Sequence, residues 1–297
     1  MKILTVNEYL KNTYGKKMYK LALSCSDTCP NRDGTTDTRG CIFCPNGASD
    51  GFAQSCDMPV MAQIEKAKKL VEAKNKNGGY IAYFQTFTST YAPIEKLRKS
   101  FYEAARHPDI DIISIATRPD CLGDDVISLI KEINAVKPVW VELGLQTIHS
   151  KTAEYIRRGY SLDVYDKAVC TLKQTDVHII VHLILGLPHE TKQEMIQSAD
   201  YVGKSGVHGV KLQLLHVLKG CDLEKEYNEG KFDALTLEQY ADILCECLAV
   251  LPENTVIHRL TGDGAKKYLV APLWSADKKR VMNYINERIA DHKKQEN

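Results

Sequence analysis

The run Val139-Trp140-Val141-Glu142-Leu143-Gly144-Leu145-Gln146 alternates between two chemistries. In an extended chain successive side chains point to opposite faces. Val141, Leu143 and Leu145 therefore share one face, and Glu142, Gly144 and Gln146 share the other. The apolar face suits packing against helices, and the polar, small face suits the lumen of a barrel. Outward from this strand lie five more short runs of strand type: Met18–Ser24, Gly79–Phe84, Asp111–Ala116, Val177–Leu185 and Val207–Leu215. Helical patterns stand between or after them, at Val60–Lys76, Pro93–His107, Asp124–Val136, Leu162–Thr175, Gln193–Ser205 and Thr236–Leu251. Strand then helix, six times over, is the pattern of a parallel sheet. Right-handed crossovers then curl it toward a barrel. Six units fall short of a full eight-stranded barrel. The expected fold is α/β, a partial (βα)6 TIM-like barrel with a parallel sheet plus a short C-terminal extension. Residues 1–15 read as an N-terminal arm, 16–252 as the core barrel, and 253–297 as the extension. The extension holds a strand at Thr255–Arg259 and a helix near Asp277–Lys294.

Hydrophobic residues make up 44% of the 297 residues and charged residues 26%, which supports a large core and excludes global disorder. No apolar run has the length of a membrane span, and Met1–Lys20 carries no stretch of signal-peptide type. A cytoplasmic location with no membrane partner is expected, and there ten cysteines mean metal binding, catalysis or inert core positions.

Five of those cysteines, Cys25, Cys29, Cys41, Cys44 and Cys56, crowd into the segment after the first strand. Its Pro, Gly, Asn and Asp content makes it a loop. Cys41 and Cys44 form a CxxC pair around Ile42 and Phe43, and Cys29 stands upstream. An iron–sulfur cluster is favoured over zinc. Structural zinc wants four protein ligands, whereas a three-cysteine set leaves one iron open, and Phe43 offers an apolar shield. A zinc loop completed by Cys25 or Cys56 is the alternative.

The segments Thr28-Cys29-Pro30-Asn31-Arg32-Asp33-Gly34 and Gly40-Cys41-Ile42-Phe43-Cys44 resemble the radical S-adenosylmethionine superfamily. More closely, they resemble the bacterial subgroup related to the Elongator catalytic subunit and the oxygen-independent coproporphyrinogen oxidases. Tyr83-Phe84-Gln85, Thr117-Arg118-Pro119-Asp120-Cys121, Glu142 to Gln146, His182 to Pro188 and Arg259 to Asp263 extend the resemblance over most of residues 16–275. The eleven residues between Cys29 and Cys41 depart from the superfamily's best-known, shorter spacing and fit the subgroup. The resemblance implies that Cys29, Cys41 and Cys44 hold a 4Fe–4S cluster whose fourth iron is chelated by S-adenosylmethionine. It places Phe43, Gln85, Thr117, Glu142, Gln146, His182, Gly186 and Leu187 at the cofactor. It implies an electron donor such as flavodoxin or ferredoxin, and a wobble uridine of transfer RNA as one substrate class. A small metabolite is the other class, and a zinc-bound RNA-binding protein without turnover is the rival reading.

Each contact has a plainer alternative. Glu142 also reads as a buried carboxylate paired with Lys211 or Arg158, Gln85 and Gln146 as structural amides, and His182 as a core histidine. Gly186-Leu187-Pro188 also reads as a strand-ending turn. Cys170, Cys221, Cys245 and Cys247 read as buried thiols, and so does Cys121 by default, with a role at the site as its alternative. Net charge is +1, yet residues 266–297 carry +4 and the first 44 residues +3, so both ends are basic enough to hold phosphates. A solvated helix face accounts for the tail equally well.

Overall fold

The expected alternation is realised strand by strand in a computed structural model that describes residues 3–45, 53–75, 77–262 and 266–295. Lys2, Lys76, Asp263 and Glu296, each part of a feature read above, lie outside the described residues. The strands are β1 (Leu4–Thr5), β2 (Met18–Leu23), β3 (Gly79–Phe84), β4 (Ile110–Thr117), β5 (Val139–Gln146), β6 (His178–Leu185), β7 (Gly209–Leu214), β8 (Val217–Leu218), β9 (Val256–Arg259) and β10 (Leu269–Ala271). The helices are α1 (Val6–Tyr14), α2 (Val60–Val71), α3 (Ile94–Arg106), α4 (Asp124–Asn134), α5 (Ser150–Tyr155), α6 (Leu162–Leu172), α7 (Lys192–Lys204), α8 (Asp222–Asn228), α9 (Leu237–Val250) and α10 (Lys278–Gln295). The main sheet runs β1-β9-β7-β6-β5-β4-β3-β2, and every pairing in it is parallel. Strands β2 to β7 are the six expected units in chain order, and β9 and β1 extend the sheet past β7. This is a partial α/β barrel.

Burial follows the two faces of the strands. Val141, Leu143 and Leu145 lie in the core beneath the helices, with Leu97, Phe101, Ile130 and Ala199. Inside the barrel a second cluster, Met18, Ile81, Ile112, Trp140 and Ile180, fills the N-terminal end of the sheet. Leu10 of α1 belongs to that inner cluster, with Val6, Tyr9 and Tyr14 packed on it. The first residues thus form a short strand on β9 and a helical stopper in the barrel's base. Thr5 starts α1 in a capping box with Glu8, and Thr191/Glu194 and Thr236/Gln239 do the same for α7 and α9. Each box satisfies helix-end N–H groups that otherwise lack partners. At the opposite end, β8 and β10 pair antiparallel. Among the described residues no helix is long and apolar enough to cross a membrane.

Candidate active site

A cavity of about 540 Å³ opens at the C-terminal ends of the strands, where barrel enzymes place their sites. Cys29, Cys41 and Cys44 line it from the loop after β2, with Phe43 between the last two. Gln85, Thr117, Glu142, Gln146 and His182 line it from the ends of β3, β4, β5 and β6. Gly186 and Leu187 do not line it. Leu187 is buried in an apolar cluster with Ile42 and Ile156, on which Phe43 packs. The Gly186 N–H points to the Met195 sulfur at 3.2 Å.

The cysteine loop is held by backbone bonds. The Cys29 carbonyl accepts from the Arg32 N–H at 2.8 Å, and the Cys44 N–H donates to the Cys41 carbonyl at 3.0 Å. Ile42 N–H donates to Ile156 O, and Ile42 O accepts from Leu223 N–H, so α5 and α8 grip the loop from both sides. Arg32 donates to the carbonyls of Cys44 and Pro45. Gly40, at φ +76°, makes room for it: a Cβ there would lie 2.9 Å from the guanidinium carbon. Asn31 is fully buried. Its Nδ2 donates to Arg157 O at 2.6 Å and Arg158 O at 3.2 Å, and lies 3.4 Å from Cys41 Sγ. Cys41 is lowered to about 6, first by the hydrogen bond from the Cys44 thiol, then by Asn31, Arg118 and Arg32. Its partner Cys44 is raised, first because it keeps the proton that the pair shares and then by desolvation.

These residues fit the implied cluster better than a single ion. A zinc ion with bonds of about 2.3 Å draws its sulfurs close together. Among the described residues no three ligand atoms at this cavity lie within 4.8 Å of one another, the one such group being Glu65, His107 and Asp109 elsewhere. Cys25 is buried, donates to Ser89 O at 3.2 Å and is pushed up to about 12 by desolvation. Cys121 is likewise pushed up to about 12, by desolvation and then by Asp120.

Glu142 forms the cavity floor and is itself fully buried. Oε1 accepts from Lys20 Nζ and Ser114 Oγ, both at 2.7 Å. Oε2 accepts from His182 Nε2 at 2.7 Å and from the Lys211 ammonium. Desolvation opposes its charge, but Lys20, Lys211 and His182 outweigh it and hold the carboxyl well below its usual range. Burial, then Lys211, pushes His182 down to about 4, so it is neutral and donates from Nε2. Lys211 also donates to the Tyr83 hydroxyl at 3.0 Å, and Lys20 sits 4.3 Å from the Tyr83 ring centroid. Arg158 takes no part in this network: it donates to the carbonyls of Leu145 and Thr147. Gln146 ends β5 in the left-handed region at φ +64°, an uncommon place for a non-glycine residue and one associated with functional sites.

Lys20, Tyr160, Lys219 and Tyr268 were not singled out by the sequence, whereas the period of two along β7 puts Gln213 in phase with Lys211 on the lumen face. Gln213, Lys219, Tyr160 and Tyr268 line the cavity, and Lys20 reaches Glu142 from β2. The period-two phase of β2 would have placed Lys20 in the lumen. Nothing local marks Tyr160, which follows α5 and lies between the guanidiniums of Arg118 and Arg158 at 5.3 and 4.5 Å.

The sequence model described as the Radical SAM superfamily matches residues 24–202, and the Radical_SAM C-terminal domain matches residues 207–291. The uncharacterized protein YtqA of Bacillus subtilis (strain 168) is 40% identical over 285 residues, 96% of this chain and 88% of that protein. A tRNA uridine(34) acetyltransferase of Methanocaldococcus jannaschii is 25% identical over 168 residues, 54% of this chain and 30% of that protein. Among solved structures, the archaeal Methanocaldococcus infernus Elp3 with an N-terminal deletion superposes with a TM-score of 0.63 at 17% identity, over 91% of this chain and 63% of that one. Coproporphyrinogen III oxidase (HemN) from Escherichia coli gives 0.52 at 14% identity, over 79% and 52%. The last two likenesses concern the fold, and in each the chain spans less than two thirds of the other protein.

Proposed function

The chain belongs to the radical S-adenosylmethionine superfamily, and from that premise we propose that it remodels the carbon-5 substituent of a wobble uridine in transfer RNA. Membership makes it an enzyme that uses a 4Fe–4S cluster and S-adenosylmethionine. Together, when bound and reduced, these supply a 5′-deoxyadenosyl radical able to abstract hydrogen from a C–H bond. The chain's own part is to hold, orient and exclude water. Cys29, Cys41 and Cys44 are the ligands the cavity presents, and Phe43 shields them. Gln85, Thr117 and Gln146 are the polar contacts at the strand ends, and Glu142 fixes the tautomer and direction of His182. Gly186 and Leu187 act at one remove, Leu187 by backing Phe43. A flavodoxin or ferredoxin is the reductant in this reading.

One observation carries the substrate: the 168-residue similarity to an enzyme whose name specifies uridine 34 of transfer RNA. A glycine-like substituent at carbon 5 of that base offers an activated C–H bond. The test compares modified nucleosides by mass spectrometry in transfer RNA from cells with and without the gene. A carbon-5 substituent that accumulates unprocessed in the deletion strain is expected. Identical profiles, with expression verified in the control, would move the assignment to a small metabolite.

A further inference from the structure

The rim of the cavity carries an aromatic face that the folded chain leaves in water. Tyr268 lines the cavity yet remains 42% exposed. Among the described residues it is the one aromatic among the exposed large apolar side chains. A ring of that size is normally buried for its apolar area. The rim also fixes it in place. The Lys219 N–H donates to the Tyr268 carbonyl at 2.8 Å, and the adjoining β8 and β10 pair antiparallel. Lys219, Lys266 and Lys267 are all exposed there, and Lys267 Nζ lies 4.6 Å from the Tyr268 ring centroid.

The charge around this ring is one-sided. Arg32, Arg118, Arg158, Lys219 and Arg259 line the cavity, and among the described residues Glu142 is the one carboxylate that does. Arg118, paired with Asp120, and Arg158 are buried, so the exposed cations at the edge are Lys219, Lys266 and Lys267. Glu142 is spent on Lys20, Lys211 and His182 at the floor. A chain with a net charge of +1 thus presents a cationic opening with a fixed aromatic face at its edge. Proteins that hold single-stranded nucleic acid combine those two features: cations that track the phosphates and a ring on which a base stacks. Loops of RNA are recognised the same way, through unstacked bases.

We infer that Tyr268, flanked by Lys219 and Lys267, is a stacking platform for a base of the RNA loop beside the nucleotide that enters the cavity. The inference rests on the transfer-RNA reading above and moves the grip from the basic tail to the rim. Val281, Ile285 and Ile289 of α10 are buried against the core, Arg288 pairs with Asp242 and Lys294 with Asp291, and no α10 residue lines the cavity.

The experiment titrates the anaerobically reconstituted enzyme with a synthetic anticodon stem–loop RNA, read by fluorescence anisotropy at several salt concentrations. The unaltered enzyme is expected to bind with a marked salt dependence. Tyr268→Ala and Tyr268→Leu should each weaken binding about tenfold, and Tyr268→Phe should preserve it, because only an aromatic ring stacks. Iron content and melting temperature confirm that each variant is folded. Lys219→Gln with Lys267→Gln should make the slope of log affinity against log salt shallower by about 1.4, the share of two phosphate contacts on a single strand. Lys278→Ala/Lys279→Ala/Arg280→Ala in the tail should bind as the unaltered enzyme does. If the unaltered enzyme fails to bind the stem–loop, the RNA reading itself falls. If it binds and Tyr268→Leu binds equally well, or the tail variant alone loses affinity, the RNA reading stands and the platform is overturned.

Discussion

Glu142 bears more electrostatic weight than any other residue of the barrel lumen. One carboxylate, itself fully buried, faces two lysine amines, an imidazole and a hydroxyl at the floor of the cavity. Removing one partner of a buried charge set costs about 3–5 kcal/mol, because the remaining charges stay desolvated. Glu142→Ala is therefore expected to lower stability by about that much in urea denaturation. Lys211→Met in the same chain should restore part of the loss, since it removes a buried amine that has lost its carboxylate and that burial already pushes well below its usual range. The double variant is also where S-adenosylmethionine affinity is best measured. A fall there, with iron content intact, identifies the carboxylate as a cofactor contact, and unchanged affinity makes it purely structural. The alternation of β5 exposes Glu142 as lumenal, and the phase of β7 does the same for Lys211. Lys20 and Ser114 reach the same carboxylate from β2 and β4, and no local pattern pairs residues across a lumen.

At the level of elements, legibility follows length and periodicity. Strands β2 to β7 and the helices α2, α3, α4, α6, α7 and α9 stand out because each repeats an apolar phase over several residues. The elements that escape such a reading are short: β1, α1, α5, α8, β8 and β10. Two of these matter to the site, since α5 and α8 clamp the cysteine loop through Ile42. The loop's composition marks it as irregular and its spacing marks its ligands. Its clamp depends on residues more than a hundred positions away. Helix α1 matters to stability instead. Leu10, 2% exposed, inserts into the inner apolar cluster with Trp140 and Ile180. Truncating such a side chain leaves a cavity that the surrounding sheet cannot close. Leu10→Ala is expected to cost about 2–4 kcal/mol in urea denaturation. Iron bound per folded chain should not change, because the plug and the cysteine loop lie at opposite ends of the barrel. A matching loss of iron would mean that the two ends are mechanically coupled.

The whole molecule carries its titratable core in a form that makes it sensitive to acid. His182 and His178 are both pushed down to about 4, each chiefly by burial, with Lys211 adding to the first and His208 to the second. His258 is held well below its usual range, also by burial first. Their unfolded values stand near 6.5. Between about pH 6.5 and pH 4 the unfolded chain therefore binds more protons than the folded one, so stability falls as pH falls. For His182, which lines the cavity with 16% of its side chain exposed, the slope is at most about 1.4 kcal/mol per pH unit, the ceiling for one proton, and His178 adds to it in the same sense. Glu142 continues the trend at lower pH: its carboxyl is lowered in the folded state, so its contribution is present above about 4.5 and is lost below. Glu190, raised by burial, acts in the opposite sense but is a single group without a buried cation. Urea denaturation from about pH 7.5 down to about pH 4.5 should thus show a steady loss of stability that begins near pH 6.5. His182→Gln should flatten part of that slope, because the amide can still donate to Glu142 but cannot take up a proton. Stability that held constant or rose on acidification would mean that these histidines are already protonated in the native barrel, and that the lumen tolerates more positive charge than one carboxylate can balance.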